Sequence, residues 1–447
     1  MAFSEFFAVS LQKIPDIFAL SLQKYLFLFI LHKNKIVMQR KILNTLWQNI
    51  ESNRHLILTG ARRTGKTTLL KQLYEKARDK YENVFYLSLE SPHLCMMFDE
   101  HPENLYKFVT KPPEIVNDVS EKYYIFIDEI QYLKNPSNFL KYNYDFYNNS
   151  VKLIVTGSSA FYIDTKFKDS LAGRKWLYEM LTLDFEEFLD FKGFGSLIDE
   201  YKKIRITNSS VTVNYNQLKS LLDEYITFGG YPEVVLSNNV DDKIDILKEL
   251  TQTYMKRDIL EAGIMREEHL NKLLKALAEN TGSLLNSNYY AKMLQVSPHT
   301  IDNYVHILKK CFHIETVVPY YSNAGKSLRK MNKFYFNDLG FRNSLVNDFR
   351  NISERQDKGI LFENYVYRKI KDKLDKESLY FWRTSDGNEV DFILEDRFLQ
   401  GKAYEVKFSS KEFSPNKYKL FTKAYPDVKL DCISYDESDT SVNPFAI

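Results

Sequence analysis

The segment from Gly60 to Thr67 has the residue types and the spacing that cradle a chain of phosphates. It reads GARRTGKT and fits the pattern G-x-x-x-x-G-K-[ST] at every position. Glycines at both ends let the backbone curl so that its N–H groups face phosphate oxygens, and a helix beginning near Lys66 adds its positive end. We expect Lys66 on the β- and γ-phosphates and the Thr67 hydroxyl on Mg²⁺. The predicted contacts to ATP are made by Gly60, Ala61, Arg62, Arg63, Thr64, Gly65, Lys66, Thr67 and Thr68.

Two acids, Asp128 and Glu129, end an apolar run that is typical of a buried strand, Tyr123–Ile127. An acid at the tip of a buried strand has no use in a core and would destabilise it if left unpaired. We interpret Asp128 as the carboxylate on the Mg²⁺ side of the nucleotide and Glu129 as the catalytic residue that polarises the attacking water. An ordinary turn at the end of a strand is the alternative.

The next apolar run, VKLIVTGSS, ends in small polar residues. Thr156, Ser158 or Ser159 is expected near the γ-phosphate as a polar sensor, or else as the cap of a following helix or turn. Of the three, we assign Ser158 to the nucleotide site. Further along, Arg174 is interpreted as a nucleotide-binding arginine that acts in its own chain or on a neighbouring one. A solvated surface arginine is the alternative.

A second group of charged residues lies near the end of the chain. Glu363 belongs to the helical pattern GILFENYVYRKI, and the strand-like runs YFWRT, EVDFIL and AYEVKFS follow it. Asp391 lies in the second of these runs. Glu405 and Lys407 lie in the third, two residues apart, which puts both side chains on one face of a strand. Opposite charges on one strand face are also a common structural ion pair.

The elements that must position these residues divide the chain into segments. With 447 residues the chain is too long for one core, and two to four domains are expected. Short apolar runs alternate with helical patterns, which predicts an α/β fold with a parallel sheet. The predicted segments are a leader of doubtful status at 1–37, a P-loop core at 38–183, a helical lid at 184–263, a winged helix-turn-helix at 264–340 and an α/β domain at 341–447. We interpret the leader as an extension upstream of a true start at Met38, or as a loose amphipathic helix.

The helix-turn-helix prediction rests on Ser287–Leu308, where a short turn separates two helical patterns and Ser297 caps the second. Two apolar runs after it, Ile314–Tyr320 and Lys333–Phe336, predict the strands of a wing. A module used only for packing or protein contacts is the alternative to a DNA-binding one. The residues expected to contact DNA are His299, Thr300 and Asn303 on the second helix and Lys326, Arg329, Lys330 and Lys333 in the wing.

Composition and charge narrow the class of protein. The 61 basic and 59 acidic residues leave a net charge of +2, which excludes a uniformly basic nucleic-acid binder but allows a local basic patch. The three cysteines have neither zinc-site spacing nor a disulfide pattern, so a reducing, cytoplasmic location is expected. The apolar run Tyr25–Leu31 is too short to span a bilayer, and no membrane partner is expected.

Several motifs of the chain together resemble a known group: GARRTGKTTLL, IFIDEIQYL, LIVTGSSA, LAGRKWLYEMLTLDFEEF and FGGYPEVV. They are similar to successive motifs of the archaeal and bacterial AAA-type ATPases of the initiator-like branch, in which the ATPase is joined to a C-terminal domain of unknown function. The resemblance covers nearly everything from Met38 onward. It implies an ATPase core, a helical lid, a winged helix and a nuclease-like end, with ATP and Mg²⁺ as cofactors.

The end of the chain resembles the PD-(D/E)xK nuclease superfamily, which has a restriction-endonuclease-like α/β fold. Asp391, Glu405 and Lys407 match its motif positions and Glu363 lies on its first helix, although Val390 replaces the leading proline. The resemblance implies Mg²⁺ bound by Glu363, Asp391 and Glu405 beside a scissile phosphate. Lys407 would orient water or stabilise developing charge. Many members of that superfamily have lost catalysis.

Three functions remain open at this point. The first is an ATP-hydrolysing ATPase that acts on or regulates DNA through the winged helix and the nuclease-like domain. The second is a signalling or scaffold ATPase whose C-terminal modules bind protein partners, and the third is a nuclease regulated by ATP. A homo-oligomer fits each of them. They are separated by whether Asp391, Glu405 and Lys407 converge on one metal-sized site or are engaged in structural ion pairs.

Overall fold

The computed structural model describes residues 38–109, 122–147, 150–157, 171–210, 212–261, 267–320, 331–373, 378–395, 401–436, 438 and 440–447, with backbone alone at 254–261. The chain divides into two compact units, Met1–Arg40 and Lys41–Ile447, and the second holds all the elements that follow. The interpretation of the leader at 1–37 lies outside the described residues. Across the described part of the chain, no helix combines the length and the apolar character needed to cross a membrane.

A parallel sheet forms the centre of the first half and confirms the predicted α/β core. Its strands are β1 (His55–Thr59), β2 (Val84–Ser88), β3 (Tyr123–Asp128), β4 (Val151–Gly157) and β5 (Lys175–Glu179). They lie in the order β2-β3-β4-β1-β5. Every residue of β1, β3 and β4 is buried, as expected of apolar runs covered on both faces. The helices of this half are α1 (Ile42–Gln48), α2 (Lys66–Arg78), α3 (Pro92–Glu100) and α4 (Pro136–Tyr147).

A mostly helical segment follows the sheet, where the lid is predicted. Its helices are α5 (Phe185–Phe191), α6 (Ile198–Thr207), α7 (Tyr215–Phe228), α8 (Pro232–Leu236), α9 (Val240–Glu261) and α10 (Glu267–Glu279). The first of them begins at a capping box, because the Asp184 side chain accepts the Glu187 N–H at 2.8 Å and the Glu187 carboxylate accepts the Asp184 N–H at 3.2 Å.

The predicted helix pair and the two strands after it are present. Helices α11 (Ser287–Leu294) and α12 (Pro298–Lys310) are joined by a short turn, and the Ser297 hydroxyl accepts the Thr300 N–H at 3.1 Å. The turn is possible because Gln295 adopts a left-handed conformation (φ +55°) at the end of α11. Strands β6 (Ile314–Pro319) and β7 (Lys333–Phe336) pair antiparallel. The tip between them, with Lys326, Arg329 and Lys330, lies outside the described residues.

The last part of the chain has the predicted order of a helix, three strands, a helix and a strand. After α13 (Leu339–Val346) come α14 (Lys358–Lys371), β8 (Leu379–Arg383), β9 (Glu389–Glu395), β10 (Gly401–Lys407), α15 (Lys419–Ala424) and β11 (Lys429–Ser434). The sheet order is β11-β10-β9-β8-β6-β7. Strand β6 joins β8 through the pairs Val318 with Tyr380 and Pro319 with Phe381. The predicted domain boundary between residues 340 and 341 would therefore divide one connected sheet. Strand β6 pairs with β7, which precedes the boundary, and with β8, which follows it.

Candidate functional site

The phosphate loop runs from the end of β1 into α2. Gly60 (φ +152°) passes so close to the backbone after β5 that a Cβ atom would lie 2.0 Å from the Met180 carbonyl oxygen. Gly65 (φ +95°) caps the start of α2 in a left-handed conformation. Both positions therefore require glycine. The Thr64 hydroxyl donates to the Ala61 carbonyl oxygen at 2.9 Å and closes the loop on itself.

Lys66 points back into this loop. Its buried ammonium donates to the carbonyl oxygens of Gly60 at 2.9 Å and Ala61 at 2.7 Å. Thr67 is half-buried and Thr68 is exposed, both in the first turn of α2. The curl of the loop, the ammonium inside it and the helix start are the features that a phosphate chain requires, so these residues fit a bound nucleotide.

The acid pair lies at the carboxyl end of β3, where it was predicted. The buried Asp128 carboxylate accepts from the Tyr86 hydroxyl at 3.1 Å and from the Thr156 hydroxyl. Burial and the Asp128 charge together raise the pKa of Tyr86, so the phenol remains a donor. Glu129 follows in a left-handed conformation (φ +61°), and its carboxylate accepts from Gln131. Asp128 is thus a buried carboxylate with defined partners, not the solvated end of a turn.

Strand order explains why Thr156 joins the acids. Strand β4 lies between β1 and β3 and carries Thr156 next to its last residue. The Thr156 hydroxyl donates to Asp128 and accepts the Glu129 N–H at 3.0 Å, so one side chain links both acids. Of the three predicted sensor residues, Thr156 contacts the acid pair, and Ser158 and Ser159 lie outside the described residues.

The two arginines of the loop differ in exposure. Arg62 is half-buried, whereas Arg63 is exposed and adopts a left-handed conformation (φ +52°). The Arg63 guanidinium contacts Glu249 on α9 at 2.7 Å and Glu233 on α8 at 3.4 Å. Although Arg63 was predicted to contact the nucleotide, these ion pairs connect the phosphate loop to the helical segment.

Arg174 lies away from the phosphate loop of its own chain. It precedes β5, and its carbonyl oxygen accepts the His55 N–H at 2.9 Å, which places it at the amino end of β1. The loop begins at the opposite end of that strand, about 16 Å away at roughly 3.3 Å per residue. The Arg174 guanidinium instead contacts Asp145 on α4 at 2.6 Å. The prediction that Arg174 binds the nucleotide of its own chain is therefore not supported, because parallel pairing puts it at the wrong edge of the sheet.

A buried lysine lies at the centre of the C-terminal acids. The Lys333 side chain, on β7, is 2 % exposed. Its ammonium contacts Glu389 at 2.5 Å and both Glu363 and Asp391 at 3.1 Å. These carboxylates outweigh the effect of burial and raise the pKa of Lys333 well above 10.5. Sequence reasoning assigned Lys333 to a basic wing, and the apolar residues that follow it in β7, Phe334–Phe336, were the available signal that this strand is buried.

The other predicted residues of this region are also engaged. The second Asp391 oxygen accepts the Val406 N–H at 2.9 Å, and the Tyr335 hydroxyl donates to Glu363 at 2.7 Å. The Lys407 ammonium contacts Glu405 at 2.5 Å on the same strand face, as the two-residue spacing predicts. We call Lys333, Glu363, Glu389, Asp391, Glu405 and Lys407 the acid–lysine cluster.

Two acids of the cluster have strongly perturbed pKa values. Burial and the negative charge of Asp391 raise the pKa of Glu363 to about 7, although Lys333 opposes the shift. Burial and Asp391 likewise raise the pKa of Glu405 to about 7, against the effect of Lys407. Both acids are therefore partly protonated near neutral pH.

The cluster does not fit the Mg²⁺ site that the nuclease resemblance implies. Among the residues that the structure describes, no three Asp, Glu, His or Cys side chains are grouped so that they could hold a metal ion. Lys333 lies between Glu363 and Asp391, and Lys407 engages Glu405. The assignment of Glu363, Asp391 and Glu405 as metal ligands therefore stays a prediction, and in this structure the Lys333 ammonium contacts two of these carboxylates.

Matches to known proteins cover most of the chain. Residues 52–189 match an AAA domain, and residues 219–353 and 358–441 match two domains of unknown function, DUF8612 and DUF4143. An uncharacterized protein of Methanocaldococcus jannaschii is 26% identical over 91% of this chain and 86% of its own. An uncharacterized protein of Mycobacterium tuberculosis is 24% identical over 84% of this chain and 74% of its own.

Solved structures give weaker matches. AMPPCP-bound DnaA from Aquifex aeolicus is 14% identical over 60% of this chain and 86% of that chain, with a TM-score of 0.27. Drosophila ORC bound to DNA is 12% identical over 65% of this chain and 90% of that chain, with a TM-score of 0.30. Both scores are too low to carry an argument. The nuclease resemblance is not confirmed, whereas the phosphate loop and the parallel sheet agree with the match of residues 52–189 to an AAA domain.

Proposed function

We propose that the chain binds ATP with Mg²⁺ and hydrolyses it at the carboxyl edge of the first sheet. The observation that carries the proposal is the position of Thr156, whose hydroxyl contacts both Asp128 and Glu129. Thr156 lies on β4, between the strand that carries Asp128 and the strand that runs into the phosphate loop. Thr67 and Asp128 would hold the metal ion, which neutralises phosphate charge when it is bound.

The residues have separate roles in this reaction. Lys66 exchanges its bonds to the loop carbonyls for bonds to phosphate oxygens. Glu129 accepts the proton of the attacking water, or polarises that water, as its position after the buried Asp128 allows. Tyr86 and Thr156 keep the Asp128 carboxylate in one orientation, because each donates a hydrogen bond to it.

Hydrolysis of ATP by purified protein tests this assignment. Lys66→Ala is expected to lose nucleotide binding, and Glu129→Gln to bind ATP with a turnover that falls by about 100-fold or more. Lys76→Ala, an exposed residue on the same helix whose ammonium lies over the Trp47 ring, is the control and should resemble the wild type. Full turnover in Glu129→Gln would contradict the role of that residue.

We extend the proposal to DNA, which the ATPase would bind or regulate through α11 and α12. Helix α12 exposes His299 and Asn303 beyond its buried face, and its first turn is capped by Ser297. Side chains of this kind at the start of the second helix suit base contacts in a major groove. The Arg63 contacts to Glu233 and Glu249 suggest how the nucleotide state would reach the helical segment, since exposed ion pairs rearrange at little cost.

Duplex binding measured over a range of salt, with and without ATP, tests this extension. Asn303→Ala should weaken sequence-dependent binding, and Asn53→Ala, an exposed asparagine of the ATPase domain, should not. Equally weak binding of DNA with and without ATP would count against it.

The acid–lysine cluster favours a second candidate, an ATPase whose C-terminal part is a protein-binding scaffold. Its acids are engaged in ion pairs, which was the criterion that separates a scaffold from a nuclease. A cleavage assay on supercoiled, linear and branched DNA with Mg²⁺ or Mn²⁺ decides between a scaffold and a nuclease. The wild type is compared with Asp391→Ala. Cleavage that disappears in Asp391→Ala would establish a nuclease; no cleavage by an active ATPase supports the scaffold.

A further inference from the structure

A cavity of about 140 Å³ lies where the starts of α1 and α5, helices α6 and α7, and the end of α14 meet. It is separate from both the phosphate loop and the acid–lysine cluster. Tyrosine and phenylalanine rings form part of its wall. Its charged lining residues are Lys41, Asp184, Arg368, Lys369, Asp372 and Lys373.

Cationic side chains outnumber carboxylates among the residues that line this cavity. Four cationic side chains face two carboxylates, and both carboxylates are already engaged. Asp184 contacts Lys41 at 2.7 Å and also caps α5, while Asp372 pairs with Arg368. Glu186, nearby, also contacts Lys41, at 3.0 Å.

Lys369 forms no ion pair with these acids, although the charge of Asp184 acts on it from a greater distance. Its side chain is buried, and its ammonium donates to the Pro444 carbonyl oxygen at 2.7 Å. It lies 5.2 Å from the centre of the Tyr201 ring and 5.8 Å from that of Phe445. Within the described ranges, no Asp or Glu side chain is within 4.0 Å of it. A buried ammonium of this kind lacks a counter-ion.

Nearby cations add to this imbalance. Burial lowers the pKa of Lys369 well below 10.5, and the charges of Lys373 and Arg205 lower it further. Burial and the charges of Arg205 and Lys41 also lower the pKa of Lys373, to about 8. Lys373 does have one acceptor, an oxygen of Ile447. An anion in the cavity would supply the missing negative charge.

The size of the cavity limits the anion. A water molecule takes about 30 Å³ of liquid volume, so the cavity has room for about five waters. Sites for drug-sized ligands usually measure about 300 to 1,000 Å³. A tetrahedral oxyanion fits this space, and a whole nucleotide does not.

We propose that this cavity binds a small oxyanion of the phosphate type. Lys369 binds it from the buried floor, and Lys373 and Lys41 contact it at the exposed rim. The site joins the start of α5, which follows the ATPase sheet, to α14, which lies between β7 and β8 of the second sheet. A bound anion would therefore hold these two parts of the chain together.

Titration of the full chain with inorganic phosphate at pH 7 tests the proposal. Calorimetry and thermal unfolding are the readouts, in the Lys66→Ala background so that the phosphate loop does not contribute. Phosphate should bind and raise the unfolding temperature. Lys369→Met should weaken binding by about tenfold or more, the size expected for one charge-assisted hydrogen bond.

Two further variants keep the test decisive. Lys373→Met changes the exposed rim, so it reports on binding even if Lys369→Met fails to fold, and it should also weaken binding. Lys358→Met is the matched control, since it removes a lysine about 16 Å away along the same helix, at 1.5 Å per residue. Binding that is unchanged in both Lys369→Met and Lys373→Met, or absent from the background protein, would overturn the proposal. Lys369 would then be a structural cation held by Pro444 and the aromatic rings.

Discussion

Replacing Lys333 with methionine tests whether an ammonium, and not a metal ion, holds the acid–lysine cluster together. Methionine keeps an unbranched chain of similar length and removes the charge. Lys333 is 2 % exposed and contacts three carboxylates. The change therefore leaves Glu363 and Asp391 without this cation, whereas Glu389 keeps its contact with Arg383. We expect Lys333→Met to unfold more easily than the wild type.

The size of the effect follows from burial. Removing one partner of a buried ion pair costs about 3–5 kcal/mol, because the other charge remains buried and unpaired. That is a large part of the about 5–15 kcal/mol that stabilises most folded proteins. The loss of stability should be greatest at pH 8 and smaller at pH 5.5. Glu363 has a pKa of about 7, so its carboxylate is protonated as the pH falls and then needs no cation.

Urea-induced unfolding at both pH values measures the loss. Lys429→Met is the matched control, because Lys429 contacts Asp431 at 2.9 Å in the same sheet but is 77% exposed. An exposed pair contributes about 0–1 kcal/mol, so this control should stay close to the wild type.

Magnesium ions separate the two explanations of the cluster. If the carboxylates are a lysine-filled structural site, millimolar Mg²⁺ will not restore the stability of Lys333→Met. Full recovery of stability with Mg²⁺ would mean that the Lys333 ammonium only takes the place of a metal ion. The reasoning from the ion pairs would then be wrong. A loss below about 1 kcal/mol would also refute it, since the ammonium would then not hold the acids.

Three other predictions follow from the same structure. The pKa values of Glu363 and Glu405 are raised from 4.5 to about 7 in the folded state, so between these pH values the folded protein binds more protons than the unfolded chain. The free energy of unfolding should therefore fall as pH rises from 5 to 8. In urea unfolding, Glu405→Gln should flatten this pH dependence. Gly229→Ala should destabilise by about 2 kcal/mol or more in thermal unfolding, because φ is +75° and the new Cβ atom would lie 2.2 Å from an Asp338 oxygen. Arg174→Ala should leave ATP affinity unchanged in a titration with labelled nucleotide, and a tenfold loss would show that the arginine reaches a nucleotide after all.

Part of the fold and of the site was predictable because it depends on neighbouring residues. The phosphate loop requires glycines, a lysine and a threonine at fixed spacing between a strand and a helix, and Gly60 and Gly65 take up the required backbone conformations. Asp128 follows a buried apolar run, and the Glu405–Lys407 contact follows from the two-residue period of a strand. In each case the interaction spans few positions along the chain.

What could not be predicted depends on strand pairing between distant segments. Lys333 meets Glu363 and Asp391, which are 30 and 58 residues away, only because β7 approaches α14 and β9. Arg174 is removed from the phosphate loop because β5 pairs in parallel with β1. Strand pairing also joins the predicted wing to the last sheet, because β6 pairs with β8.

The sequence by itself therefore determined that the chain carries a phosphate loop, an acid pair and alternating elements of an α/β fold, because these follow from local spacing and burial. It also identified three acids of the C-terminal cluster, Glu363, Asp391 and Glu405, but not Glu389, which the structure adds. Only the tertiary structure decided what balances their charge, since a buried carboxylate takes its partner from whichever cation the packing brings within about 3 Å. In this protein the cation is Lys333, from a strand that sequence reasoning had assigned to a basic surface.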